Sequence, residues 1–148
     1  MTATAPSRSA PAPANPGTGR EPGRARVGEW ALNKSDIRAV LSIAEERELP
    51  LSVRLFNRAG RQEVDGQSFT VTADDHQVEV KGRDWRASLD LRQVESVRAV
   101  SRCFAGRTRL ALECVDCEAR CLLSLTGPSP EQEPGGQIWC ALLARLEA

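Results

Sequence analysis

From Ile37 the apolar positions recur as Ile37, Val40, Leu41 and Ala44, the i, i+3, i+4, i+7 spacing that lines one side of an α-helix. Ser35, just ahead of them, is a good N-cap because its hydroxyl oxygen accepts an N–H of the first turn, and Pro50 stops the helix. Trp30 and Leu32 are expected to pack beneath it. After Pro50 the period drops to two. Leu51, Val53 and Leu55 alternate with Ser52 and Arg54, and Asn57-Arg58-Ala59-Gly60 supplies turn residues before a return through residues 61–65, which predicts a β-hairpin. Shorter strand candidates follow at residues 69–72, 77–81, 85–91 and 94–101, punctuated by Gly66, Gly82-Arg83-Asp84 and Gly106. Residues 109–114 and 119–125 form a last pair. Beyond the Pro/Gly-rich stretch 127–136, Ile138, Ala141, Leu142, Arg145 and Leu146 predict a C-terminal helix. The expectation is an α+β domain over residues 28–148, a mainly antiparallel meander flanked by an N-terminal and a C-terminal helix.

Residues 1–27 are mostly Ala, Pro, Gly, Ser and Thr with no apolar periodicity, and are expected to be a disordered tail. The 148 residues amount to one domain with a core large enough to need no staple. Charge adds exclusions. Twenty Lys and Arg balance twenty Asp and Glu, so no overall field draws the chain to nucleic acid, and the tail's sparse Arg8, Arg20, Arg24 and Arg26 do not make a nucleic-acid arm. No apolar run approaches the roughly 18 residues of a membrane span, and no signal peptide is legible, so no membrane insertion and a cytoplasmic location are expected. The five cysteines are then expected to be reduced thiols.

Three of them stand in Glu113-Cys-Val-Asp-Cys-Glu-Ala-Arg-Cys121, at C-x-x-C-x-x-x-C spacing, and Cys114, Cys117 and Cys121 are candidate zinc or iron ligands. A hairpin offers a second account. Strand alternation puts Leu110, Leu112 and Cys114 on one face, with Cys121, Leu123 and Leu125 as the matching row of the return strand and Cys117 at the turn. Tetrahedral zinc would need all three thiols plus Cys103, Cys140 or His76.

The stretches LSVRLFNRAGRQEVDG (51–66), WRASLDLRQVESVRAVSR (85–102), RLALECVDCEARCLLSLTG (109–127) and IWCALLARL (138–146) resemble the HemS/ChuX/HutX group of bacterial cytoplasmic haem-utilisation proteins. The resemblance runs from about Asp36 to Leu146. It implies an antiparallel sheet flanked by helices, one ChuX-like unit that pairs as a homodimer, and haem (iron-homeostasis) binding for storage or delivery, with a protein partner in haem uptake. The family's histidines fall near Phe56, near Asp74-Asp75-His76 and near Ser88, so that His76 alone matches.

Haem iron takes His, Cys, Met or Tyr as axial donor, and its carboxylates favour arginine. Here Tyr is absent, Met1 is the single methionine and His76 the single histidine. His76, in the polar turn Ala73–Gln77, and Cys103, with Arg102 and Arg107 beside it, are therefore the candidate haem-binding residues. Their plain alternatives are an exposed loop histidine and a strand-end cysteine. Arg54, Arg86, Arg92 and Arg98 read as a solvated sheet face. A Ser-His-Asp or Cys-His arrangement would have to rest on His76, where no nucleophile elbow is legible, and Asp74, Asp75, Asp84 and Asp90 read as solvated carboxylates. A non-enzymatic haem carrier is the leading expectation. The alternatives are an interaction module with the same fold and no haem site, and a metal protein using the cysteine trio.

Overall fold

The computed structural model describes residues 28–57, 60–67 and 69–148; the expected tail lies outside them. Its nine strands form two antiparallel sheets. The larger takes β1 (Gly28–Leu32), β2 (Leu51–Asn57), β3 (Gly60–Gln67), β7 (Ser96–Phe104), β8 (Arg107–Val115) and β9 (Cys121–Thr126) in the order β1-β7-β8-β9-β2-β3. The smaller takes β4 (Thr70–Ala73), β5 (Gln77–Lys81) and β6 (Arg86–Asp90) in chain order. Two helices complete the fold, α1 (Ile37–Glu46) and α2 (Gly136–Arg145). The α+β expectation therefore holds, but the strands are not one meander. The early hairpin β2–β3 joins the late run β7–β8–β9 through β2 against β9, with Val53 opposite Leu125.

In α1 the buried residues are Ile37, Val40, Leu41 and Ala44, as the spacing predicts. Ser35 is not the cap: a 3-10 turn over Lys34–Asp36 leads in, and Asp36 occupies the N-cap position. The helix ends on Glu48 in the left-handed region at φ 54°, which lets the Leu49 N–H reach the Ala44 carbonyl at 2.9 Å. Trp30 and Leu32 are buried as expected, but they belong to edge strand β1, and the Trp30 indole N–H donates to the Leu143 carbonyl of α2 at 3.1 Å.

One core gathers the inner face of the large sheet (Val97, Ala99, Leu110, Leu112, Leu123, Leu125), the α1 stripe, Trp139 and Leu143 of α2, and Val78, Val80, Ala87 and Leu89 of the small sheet. Trp139 is fully buried and donates its indole N–H to the Leu110 carbonyl at 2.7 Å. Its ring lies so close over Gly127 that a Cβ there would fall 2.3 Å from Cδ1. The segment leading into α2 is latched to β8 by Glu131, which accepts the Thr108 N–H at 3.0 Å and the Thr108 and Ser129 hydroxyls at 2.5 and 2.8 Å. Those donors hold its carboxyl down at about 2.

Candidate functional site

Asp74 directly follows β4 and shapes the turn that carries His76. Its Oδ1 accepts the backbone N–H groups of His76 at 2.9 Å and Gln77 at 2.8 Å, the local Asx geometry open to Asp and Asn. These backbone donors, His76 first, hold the Asp74 carboxyl below the usual carboxylate range. Two neighbours fix the turn from outside. Arg38 of α1 donates to the Asp74 carbonyl, and the Leu91 N–H donates to the His76 carbonyl at 2.7 Å.

The β5–β6 register, with Gln77 opposite Asp90, brings a second carboxylate to the same place. Asp90 accepts the Arg92 guanidinium on both oxygens, at 3.1 Å each, and its backbone N–H at 2.9 Å. This fork holds Asp90 low and Arg92 high. Asp74, Asp75, His76, Gln77, Asp90 and Arg92 together line a cleft of about 520 Å³. Of these the sequence offered His76 as a candidate haem-binding residue, while Asp74, Asp75 and Asp90 read as solvated carboxylates and Arg92 as part of a solvated sheet face. Arg38, Arg92 and the convergence of Asp90 depend on strand pairing and helix packing that local spacing does not carry.

The other expected residues are elsewhere. Arg102, Cys103 and Arg107 do not line the cleft. They sit at the β7–β8 hairpin, where β7 ends after nine residues, roughly 30 Å of extended chain. Nor do they share a face. Register sets Arg102 opposite Arg109 and Cys103 opposite Thr108, so alternation turns the Arg102 side chain away from the exposed Cys103. Arg102 instead reaches Glu113 at 3.5 Å, which Arg98 already holds with two bonds of 2.9 and 3.0 Å.

The cysteine row also differs from expectation. A register shift at Cys114/Val115 pairs Cys121 with Val115, moving it off the Cys114 face. Cys114 is fully buried, and burial pushes its thiol up to about 12; Cys121 is half-buried at about 11, raised first by burial and then by Glu113. Cys117 is exposed. Among the described residues no three His, Cys, Asp or Glu side chains form a group that could hold a metal ion, so Cys114, Cys117 and Cys121 are not gathered into a ligand set.

Against haem, the cleft meets one demand and fails another. His76 supplies an imidazole at an open mouth. The lining supplies no apolar wall, and its one arginine is already occupied by Asp90. The residues therefore fit an iron donor and do not fit the ligand's carboxylates.

The fold is that of the haem-utilisation proteins, as comparison with solved structures shows. PhuS, a heme-binding protein from Pseudomonas aeruginosa, superposes with a TM-score of 0.69 at 18% identity, over 82% of this chain and 35% of PhuS. The heme-binding protein ChuX gives 0.63 at 12% identity, over 80% of this chain and 77% of ChuX. ChuS, described as an E. coli heme oxygenase, gives 0.67 at 16% identity, over 80% and 36%. The chain thus spans about a third of the length of PhuS and ChuS and about three quarters of ChuX. No protein-family model matches the chain, and no curated protein matches it by sequence. No helix among the described residues is long and apolar enough to cross a membrane.

Proposed function

We propose that this chain is a haem-binding protein, a cytoplasmic carrier and not an enzyme, with His76 as the iron's donor. The observation that carries the reading is the shared fold: PhuS and ChuX, named as heme-binding, superpose over four fifths of this chain. The position of the single imidazole supports it, because His76 opens on a cleft and its backbone is pinned on both sides. In this arrangement Asp74 and Arg38 are positioning residues that hold the turn, and His76 alone meets the ligand's metal.

Titrating the purified protein with hemin tests this. The expected result is a saturable shift of the Soret band that His76→Ala removes and Cys103→Ala leaves in place. A second reading, a protein-interaction module that keeps the fold without a haem site, is favoured by the acidic lining of the cleft. A wild-type titration with no saturable shift selects it.

A further inference from the structure

Side chains alternate between the two faces of the six-stranded sheet, and the core takes one set only, with Val97, Ala99, Leu110 and Leu112 among them. The other face carries Val100, Ala111 and Val115, which are buried yet stand outside that core. Both helices and the small sheet join the core, so they lie on its side of the sheet, and no described helix or strand is left to cover the other. One charged row crosses that open face. Register sets Arg98 opposite Glu113, Glu113 opposite Ser124, Ser124 opposite Arg54, and Arg54 opposite Glu63. Arg98 binds Glu113 at 2.9 Å and Arg54 binds Glu63 at 3.3 Å, so two ion pairs flank Ser124. Across β7, β8, β9, β2 and β3 the charges therefore run plus, minus, neutral, plus, minus. The next row, Val100, Ala111, Thr126 and Ser52, carries no charge.

A row that changes sign about its centre complements itself when it is turned over. We infer that this face is an interface for a second copy of the chain, packed face to face about a two-fold axis that runs along β9 at Ser124. That axis reverses the row, so Arg98 meets Glu63 of the partner subunit and Glu113 meets Arg54 of the partner subunit. An axis running across the strands would set Arg98 on its own copy and each carboxylate on its own copy, so the row selects the direction. The strands of the two copies then run nearly aligned, as in packed sheets. Strands about 4.8 Å apart and seven to nine residues long make a face roughly 25 Å on a side, about 600 Å² per copy. Two such faces bury about 1,200 Å², the lower end of a stable interface. No residue lining the His76 cleft lies on this face, so the inference stands apart from the haem reading.

Sedimentation velocity of the full chain from about 1 to 100 μM tests this, a range that brackets a micromolar dimer. The expected result is a reversible dimer that loosens as salt is raised. Arg54→Glu/Glu63→Arg keeps the ion pair within the chain but makes the row symmetric, so that like charges meet across the interface. It should weaken the dimer by at least about tenfold, with the circular dichroism spectrum and urea midpoint unchanged. Glu63→Lys alone, which sets a cation over Arg98, should weaken it a few-fold, and Arg83→Glu, at the turn between β5 and β6, should leave it as it is. A wild type that stays monomeric at the highest concentration overturns the inference. So does a dimer that the Arg54/Glu63 exchange leaves as tight as wild type, or an assembly that grows past two copies, because a two-fold interface closes at two.

Discussion

Replacing Gly127 with alanine places a methyl group inside the ring of Trp139. The new Cβ would stand 2.3 Å from Cδ1 and 2.4 Å from both Cγ and Nε1, whereas non-bonded carbons settle at about 3.5–4.0 Å. The indole must therefore move by more than about 1 Å. It has nowhere to go, being fully buried between α2 and β8 and tied by its N–H to the Leu110 carbonyl. Overpacking of this kind costs about 1–3 kcal/mol, and an indole N–H pulled off its acceptor inside the core adds about 1–3. The expected loss is about 2–6 kcal/mol, a large share of the 5–15 kcal/mol typical of a whole domain. Urea denaturation followed by tryptophan fluorescence and circular dichroism measures it. Trp139→Leu is the partner variant, because it removes the ring and with it most of the penalty of Gly127→Ala. A Gly127→Ala protein within about 0.5 kcal/mol of wild type, or two penalties that simply add, would refute the packing argument.

The remaining predictions concern charge, backbone and thiols. Glu131 titrates at about 2 in the folded protein against 4.5 ordinarily, so its contribution is present above pH 4.5 and is lost as pH falls through 2. For so exposed a carboxylate this amounts to about 1 kcal/mol, and Glu131→Gln should remove it at pH 7 and flatten that part of the stability profile measured in urea. Glu48→Gly should raise the denaturation midpoint, by about 0.5–1 kcal/mol in stability, because a left-handed C-terminal residue suits glycine. Under native conditions a maleimide reagent should label Cys103 and Cys117 first, since both are exposed, and reach Cys114 only on unfolding, since burial pushes that thiol up to about 12. Peptide mapping of the labelled protein checks the order.

Short-range patterning carried much of the architecture. Gln77–Lys81 is a strand at the predicted bounds because Val78 and Val80 alternate with polar neighbours, and the α1 stripe is buried residue for residue. Where partners far along the chain decide, the pattern was silent. Nothing local says that β2 pairs with β9, so a simple meander was the natural reading of the strands. Trp30 and Leu32, two apolar positions in a five-residue segment, do not announce an edge strand until β7 is there to pair with it. Cys121 was assigned to a face by parity, and the register shift beside Cys114 breaks parity at that point. The candidate site divides in the same way. His76 was visible as the single imidazole, and Asp74 two residues before it as a turn former, whereas the approach of Asp90 and Arg92 requires the β5–β6 register.

The central claim is that a haem-utilisation fold with one histidine still holds haem. Its most direct test is the absorbance titration of wild type and His76→Ala with hemin, followed in the Soret region at micromolar protein. The account predicts a saturable shift at about one haem per chain in wild type and its loss in His76→Ala. A wild-type titration that stays linear, with the spectrum of free hemin throughout, would contradict it.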